Sequence, residues 1–100
     1  MYDTRNLAKF KKFGELAPEA FERFVEFDRA ALAGGAIPVK YKELMAVAVA
    51  LTTQCPYCID IHTRKAKEAG ATETELVETT LVSAALRAGA AMTHGTHTLE

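Results

Sequence analysis

Residues 40–62 read KYKELMAVAVALTTQCPYCIDIH, and the reading of Met45 to Leu51 within them decides the fold. Met45-Ala46-Val47-Ala48-Val49-Ala50-Leu51 alternates large and small side chains, so a strand with a two-residue period is conceivable. Runs of alanine and leucine type favour a helix instead, and no segment elsewhere offers a partner strand. A helix that is apolar on nearly every side belongs at the buried centre of a fold. The expectation is an all-α domain of about five helices, with a core helix over residues 40–54. Pro56 then suits the first position of the next helix, which makes Cys55 the N-cap and Cys58 the third helical residue.

Outward from this stretch the punctuation is helical. Residues 4–13 form a short helix that Gly14 is expected to break. Ala17-Pro18-Glu19 opens a second helix with proline and an acid in its first turn, and Gly34-Gly35 closes it. Along it Phe21, Phe24, Val25, Asp28 and Leu32 fall at helical spacing. Ile37-Pro38 is an extended connection. The helix begun at Pro56 runs to Gly70. Thr72 and Glu75 form a capping box that starts a long fifth helix reaching Met92 or beyond. After Arg87 that helix carries small and apolar residues, a close-packing surface suited to helix–helix or subunit contact. Residues 1–100 read as one domain, without internal repeat or low-complexity segment.

Composition narrows the class. The chain is 49% hydrophobic over 100 residues, which favours burial against copies of itself. With 12 basic and 13 acidic residues and a net charge of −1, it shows no electrostatic footprint for nucleic acid or membrane. The longest apolar run, Leu44 to Leu51, falls far short of the roughly 20 residues that span a bilayer. The first fifteen residues, MYDTRNLAKFKKFGE, lack the apolar stretch of a secretory signal, so a cytoplasmic location is expected. There a C-x-x-C is more often catalytic or metal-binding than a permanent disulfide.

The chemistry concentrates in Glu43, Cys55, Cys58 and His62. Both sulfurs stand beside the positive end of a helix dipole and its unpaired N–H groups, an environment that stabilises thiolate. His62 lies one turn beyond Cys58 on the same face, so its imidazole can take the thiol proton or pair with the thiolate, which favours the second cysteine as nucleophile. Glu43, from the preceding helix, would orient that imidazole and complete a proton path on reaching His62 or a bound water. A peroxide can oxidise one thiolate to sulfenic acid, the neighbouring thiol can condense it to a disulfide, and a dithiol can restore both. The same four residues could instead ligate zinc in a non-catalytic helical module, and a redox sensor in which the disulfide reshapes an interface is a third reading. Tyr57 reads equally as a packing residue or a hydroxyl donor. His94 and His97 point to a polar chain end or subunit contact rather than a metal pair. A thioredoxin-like domain also carries C-x-x-C at a helix start, but it needs strands this sequence lacks.

The order of glutamate on one helix, C-x-x-C opening the next, and histidine four residues after the second cysteine resembles the alkylhydroperoxidase D-like branch of the carboxymuconolactone decarboxylase superfamily. The likeness extends over about residues 37–95, including the helix end and capped restart at KAKEAGATETE, residues 65–75. It implies an all-α fold assembled into a homotrimer or homohexamer, and a peroxidase activity without metal, haem or other cofactor. It further implies that Cys58 attacks the peroxide, that Cys55 resolves the sulfenic acid, and that His62 and Glu43 relay protons. A dithiol or a lipoylated protein would be the reductant. Tyr57 stands where some peroxidases of the family carry histidine, which shortens the relay. The superfamily's decarboxylases lack the cysteine pair, so lactone decarboxylation is not expected.

Overall fold

The computed structural model describes residues 2–100. A 3-10 helix over Thr4–Lys9 leads into α1 (Phe10–Leu16), followed by α2 (Pro18–Leu32), α3 (Val39–Thr53), α4 (Pro56–Glu68) and α5 (Glu73–Gly95). A short 3-10 turn, Thr96–Thr98, ends the chain. Among the described residues there is no strand, and Met45 to Leu51 is helical.

Helix α3 packs along α4 on one side and α5 on the other. Val47, Ala50 and Ala66 form the buried apolar seam. Side-chain bonds to helix-end carbonyls fix the arrangement. Lys42 Nζ donates to the carbonyls of Ala31 (2.9 Å) and Ala33 (2.6 Å), tying the end of α2 to the start of α3. Arg87 Nη1 donates to Thr52 O at 2.8 Å, joining α5 to the end of α3. Lys40 meets Glu75 at 3.0 Å at the other end of the pair. Glu75 also closes the capping box with Thr72 that the sequence foretells. Gly70 holds a positive φ of 98° in the turn after α4, where a side chain would be strained.

Two local expectations fail. Gly14 does not break the first helical segment; it lies inside α1, which instead stops ahead of Pro18. A glycine is tolerated there because the Phe21 ring packs beside it, and the residue before a proline disfavours helical geometry. Nor is α3 buried all round. It buries Glu43, Val47 and Ala50 but leaves Tyr41, Met45 and Val49 on the surface. On α5, Val77, Leu81, Val82 and Leu86 are also exposed. The chain presents 7724 Å² of surface, against about 5,600 Å² for a compact monomer of this mass. Its radius of gyration is 16.7 Å, against about 13 Å for a globular domain of this length. The apolar periodicity of α3 is therefore satisfied on one face within the chain and left open on another.

Candidate active site

The turn between α3 and α4 sets the sulfurs. Gln54 closes α3 in the left-handed region (φ 57°, ψ 46°), with its N–H on the Ala50 carbonyl. The Cys55 N–H returns to the same carbonyl at 3.1 Å. Pro56 starts α4 with φ already fixed, so Cys55 becomes the N-cap as the sequence predicts. Its sulfur takes the place of a capping oxygen and accepts the Cys58 N–H at 3.3 Å. The two sulfurs, both free thiols, lie 2.7 Å apart.

This geometry divides the pair. The hydrogen bond shared with Cys58 acts most strongly on Cys55, the N–H groups of Cys58 and Tyr57 add to it, and the Cys55 pKa is lowered from its ordinary value against a weaker opposing effect of burial. Cys58 is pushed up to about 11, first by that shared hydrogen bond, then by burial, and then by the negative charges of Cys55 and Asp28. The expectation of two acidified thiols therefore holds for the N-cap and reverses for the residue three positions on. A capping position receives the free N–H groups of the first turn, whereas Cys58 contributes its own N–H to that cap. The pair titrates as a unit, with the first negative charge resting on Cys55.

His62 and Glu43 form a second pair. His62 Nδ1 lies 2.6 Å from Glu43 Oε2, with the carboxylate buried and the imidazole largely so. With Glu43 as the acceptor, Nδ1 is the donor of this bond and Nε2 is left for another partner. Glu43 is thus no solvated acid at a helix start. Among the described residues no direct hydrogen bond joins the Glu43–His62 pair to the sulfurs, and no three His, Cys, Asp or Glu side chains converge as a metal site. Glu43 turns to His62 rather than to the sulfurs. His94 and His97 stand with ring centroids 5.4 Å apart at the far end of α5.

Two cavities flank the site. One, of about 400 Å³, is floored by Cys55 and Cys58, walled by Tyr57 and Ile61, and roofed by Leu7, Phe10 and Phe13. The other, of about 390 Å³, lies under α2 and is lined by Glu43, Asp28, Arg29 and Lys65 among others. A larger groove of about 570 Å³ runs along Pro56, Ile59 and Thr63 on the outer face of α4 and contains neither sulfur.

The structure brings Cys55 to Cys58 and Glu43 to His62, and adds residues the sequence did not mark as functional. Asp28 is one; the signal was a lone carboxylate in the otherwise apolar series Phe21, Phe24, Val25, Leu32. The N-terminal segment is the other. Its Asp3 N–H and Asn6 Nδ2 both donate to the Tyr57 hydroxyl, at 3.2 and 2.9 Å, while Tyr2 packs edge-on against the Tyr57 ring. Tyr57 is therefore a hydrogen-bond acceptor for the chain's beginning, a role that no local pattern announces.

An all-helical domain carrying a C-x-x-C dithiol on a helix N-terminus, behind a buried Glu–His pair, is the class these elements define. The model of the carboxymuconolactone decarboxylase family matches residues 18–100, and the chain belongs to that family; its dithiol is in keeping with the alkylhydroperoxidase D-like branch. A Paracoccus denitrificans protein described as "uncharacterized protein 4 in cox locus" is 41% identical over 78% of this chain and 70% of its own length. An uncharacterised protein of Cupriavidus necator is 32% identical over 81% of the chain and 72% of its own. The apo crystal structure of a carboxymuconolactone decarboxylase family protein from Legionella pneumophila superposes with a TM-score of 0.78. It is 34% identical and covers 83% of this chain and 75% of that one. Among the described residues, no helix is long and apolar enough to cross a membrane.

Proposed function

We propose that the protein is a thiol-dependent peroxidase that cycles between a Cys55/Cys58 dithiol and a disulfide. The observation that carries this reading is the 2.7 Å sulfur pair at a helix N-terminus, one helical turn from a histidine held by a buried glutamate. The Cys55 thiolate attacks the terminal oxygen of a hydroperoxide, the O–O bond breaks, and the departing alkoxide takes a proton and leaves as the alcohol. That proton comes from His62 and is replaced from solvent through the cavity at Glu43. The Cys58 thiol then displaces hydroxide from the Cys55 sulfenic acid, forming the disulfide and releasing water. A dithiol reductant, free or on a lipoylated carrier, reduces the disulfide by exchange and is itself oxidised. In this scheme Cys55 and Cys58 exchange the roles that the family resemblance implies, because the resting charge favours Cys55.

The exposed apolar groove between α3 and α5, lined by Met45, Val49, Val82 and Leu86, supports assembly of the chain with copies of itself. A homotrimer or homohexamer fits the excess surface. The direct test of the activity is addition of one equivalent of hydroperoxide to the reduced protein, followed by intact mass. A rapid loss of two hydrogens, reversed by a dithiol and absent from Cys58→Ser, is the expected result. Oxidation no faster than that of a free exposed thiol would rule out the peroxidase reading.

A further inference from the structure

The cavity above the sulfurs owes its roof to residues that precede the family match, which begins at residue 18. Leu7, Phe10 and Phe13 line it together with Ile61, Phe10 and Phe13 staying half exposed, and Lys9 is the basic side chain of the lining. The roof is tethered. Tyr57, between the two cysteines in sequence, accepts the Asp3 and Asn6 hydrogen bonds, so the segment is fastened directly beside the reactive pair. Phe10 also stacks on Phe21, ring centroids 5.7 Å apart, which anchors the other end of the roof to α2. A partly open apolar pocket whose cationic lining residue is Lys9 suits an apolar body whose one negative charge sits at Lys9 and away from Cys55. Its volume of about 400 Å³ takes a chain of roughly ten to twelve carbons, counting each methylene at about the volume of a water molecule.

We infer that the N-terminal segment builds an acyl-chain subsite over the dithiol, whose ligand is a medium-chain amphiphile with its carboxylate on Lys9 and its chain against Leu7, Phe10 and Phe13. This rests on the peroxidase reading only for the step that follows binding. There, a hydroperoxide on such a chain would be delivered to the sulfurs, and the roof would select it over small peroxides. Residues 2–13 then determine specificity, and Tyr57 positions them.

The probe is decanoate below its micelle concentration, compared with decanol, on the reduced full-length protein. Titration calorimetry is expected to show saturable binding, with decanoate about three- to fivefold tighter than decanol, the contribution of one exposed ion pair. Lys9→Glu should abolish or invert that preference, and Phe10→Ala should weaken both ligands. Saturating decanoate should also slow alkylation of Cys55 several-fold, which locates the ligand over the sulfur. No saturable binding, an unchanged preference in Lys9→Glu, or unprotected Cys55 would each overturn the subsite. The two ideas fail separately. Peroxide turnover without decanoate binding removes the subsite and leaves the peroxidase, and decanoate binding without turnover does the reverse.

Discussion

The division of charge between the two thiols makes a quantitative prediction about Cys55→Ala. In the intact pair Cys58 sits at about 11, two pH units above the ordinary 9.0. At pH 7 that leaves about a hundredfold less thiolate than an unperturbed cysteine would have. A more basic sulfur is also the better nucleophile, and a Brønsted slope of about 0.4 to 0.5 returns roughly eightfold of that loss. Cys58 should therefore react about tenfold more slowly than an ordinary thiol. Cys55, shifted the other way, gains more in thiolate than it loses in nucleophilicity. Limiting iodoacetamide at pH 7 should accordingly label Cys55 over Cys58 by more than about tenfold, read by peptide mass mapping. Removing Cys55 takes away the hydrogen bond and the charge that hold Cys58 up, leaving burial and Asp28. Cys58 in Cys55→Ala should then alkylate several-fold faster than in the wild type, with about tenfold as the ceiling. Wild-type labelling chiefly at Cys58, or a Cys58 rate that Cys55→Ala leaves unchanged, would refute the charge assignment and return the attacking role to Cys58.

The remaining predictions test the neighbouring parts of the site. The pH profile of peroxide oxidation should rise with a midpoint below 9.0 and then level off, because the reactive form is the deprotonated one and Cys55 deprotonates early. Cys58→Ala removes the largest cause of that shift, so the midpoint of Cys55 alkylation should move to higher pH; a midpoint that stays put would contradict the shared hydrogen bond. Glu43→Ala should cost about 1 to 3 kcal/mol in urea unfolding by stranding the His62 Nδ1–H. Glu43→Gln should recover much of that stability while peroxide turnover stays low; full activity in Glu43→Gln would remove the carboxylate's charge from the proton path. Val49→Asp places a charge in the α3–α5 groove and should lower the mass seen by light scattering. An unchanged mass would mean that this face is not the subunit contact.

Most of the fold was legible because its signals are local. Pro18, Pro56, the Thr72–Glu75 capping box and Gly70 each act through one turn of backbone, and the helix boundaries follow them within a few residues. Gly14 misled because a glycine inside a helix costs little when a ring packs against the space it leaves, and Phe21 reaches it from the next helix. The openness of α3 was half legible. Its apolar residues signalled burial, but sequence does not say whether the burying surface comes from the same chain or from another copy.

The site divides along the same line. Glu43, Cys55, Cys58 and His62 could be chosen from their spacing, since the two cysteines and the histidine share one helix and its geometry fixes their register. The sign of the Cys58 shift could not, because helix-end electrostatics alone acidifies both thiols. What decides the asymmetry is first the hydrogen bond between the sulfurs, then the burial of Cys58, with the charges of Cys55 and Asp28 adding less, and the last of these requires knowing how α2 lies. The Lys42 bonds to the carbonyls of Ala31 and Ala33 settle that placement. Asp28 stands 27 residues before Cys55, and a motif confined to residues 43–62 cannot contain its contribution.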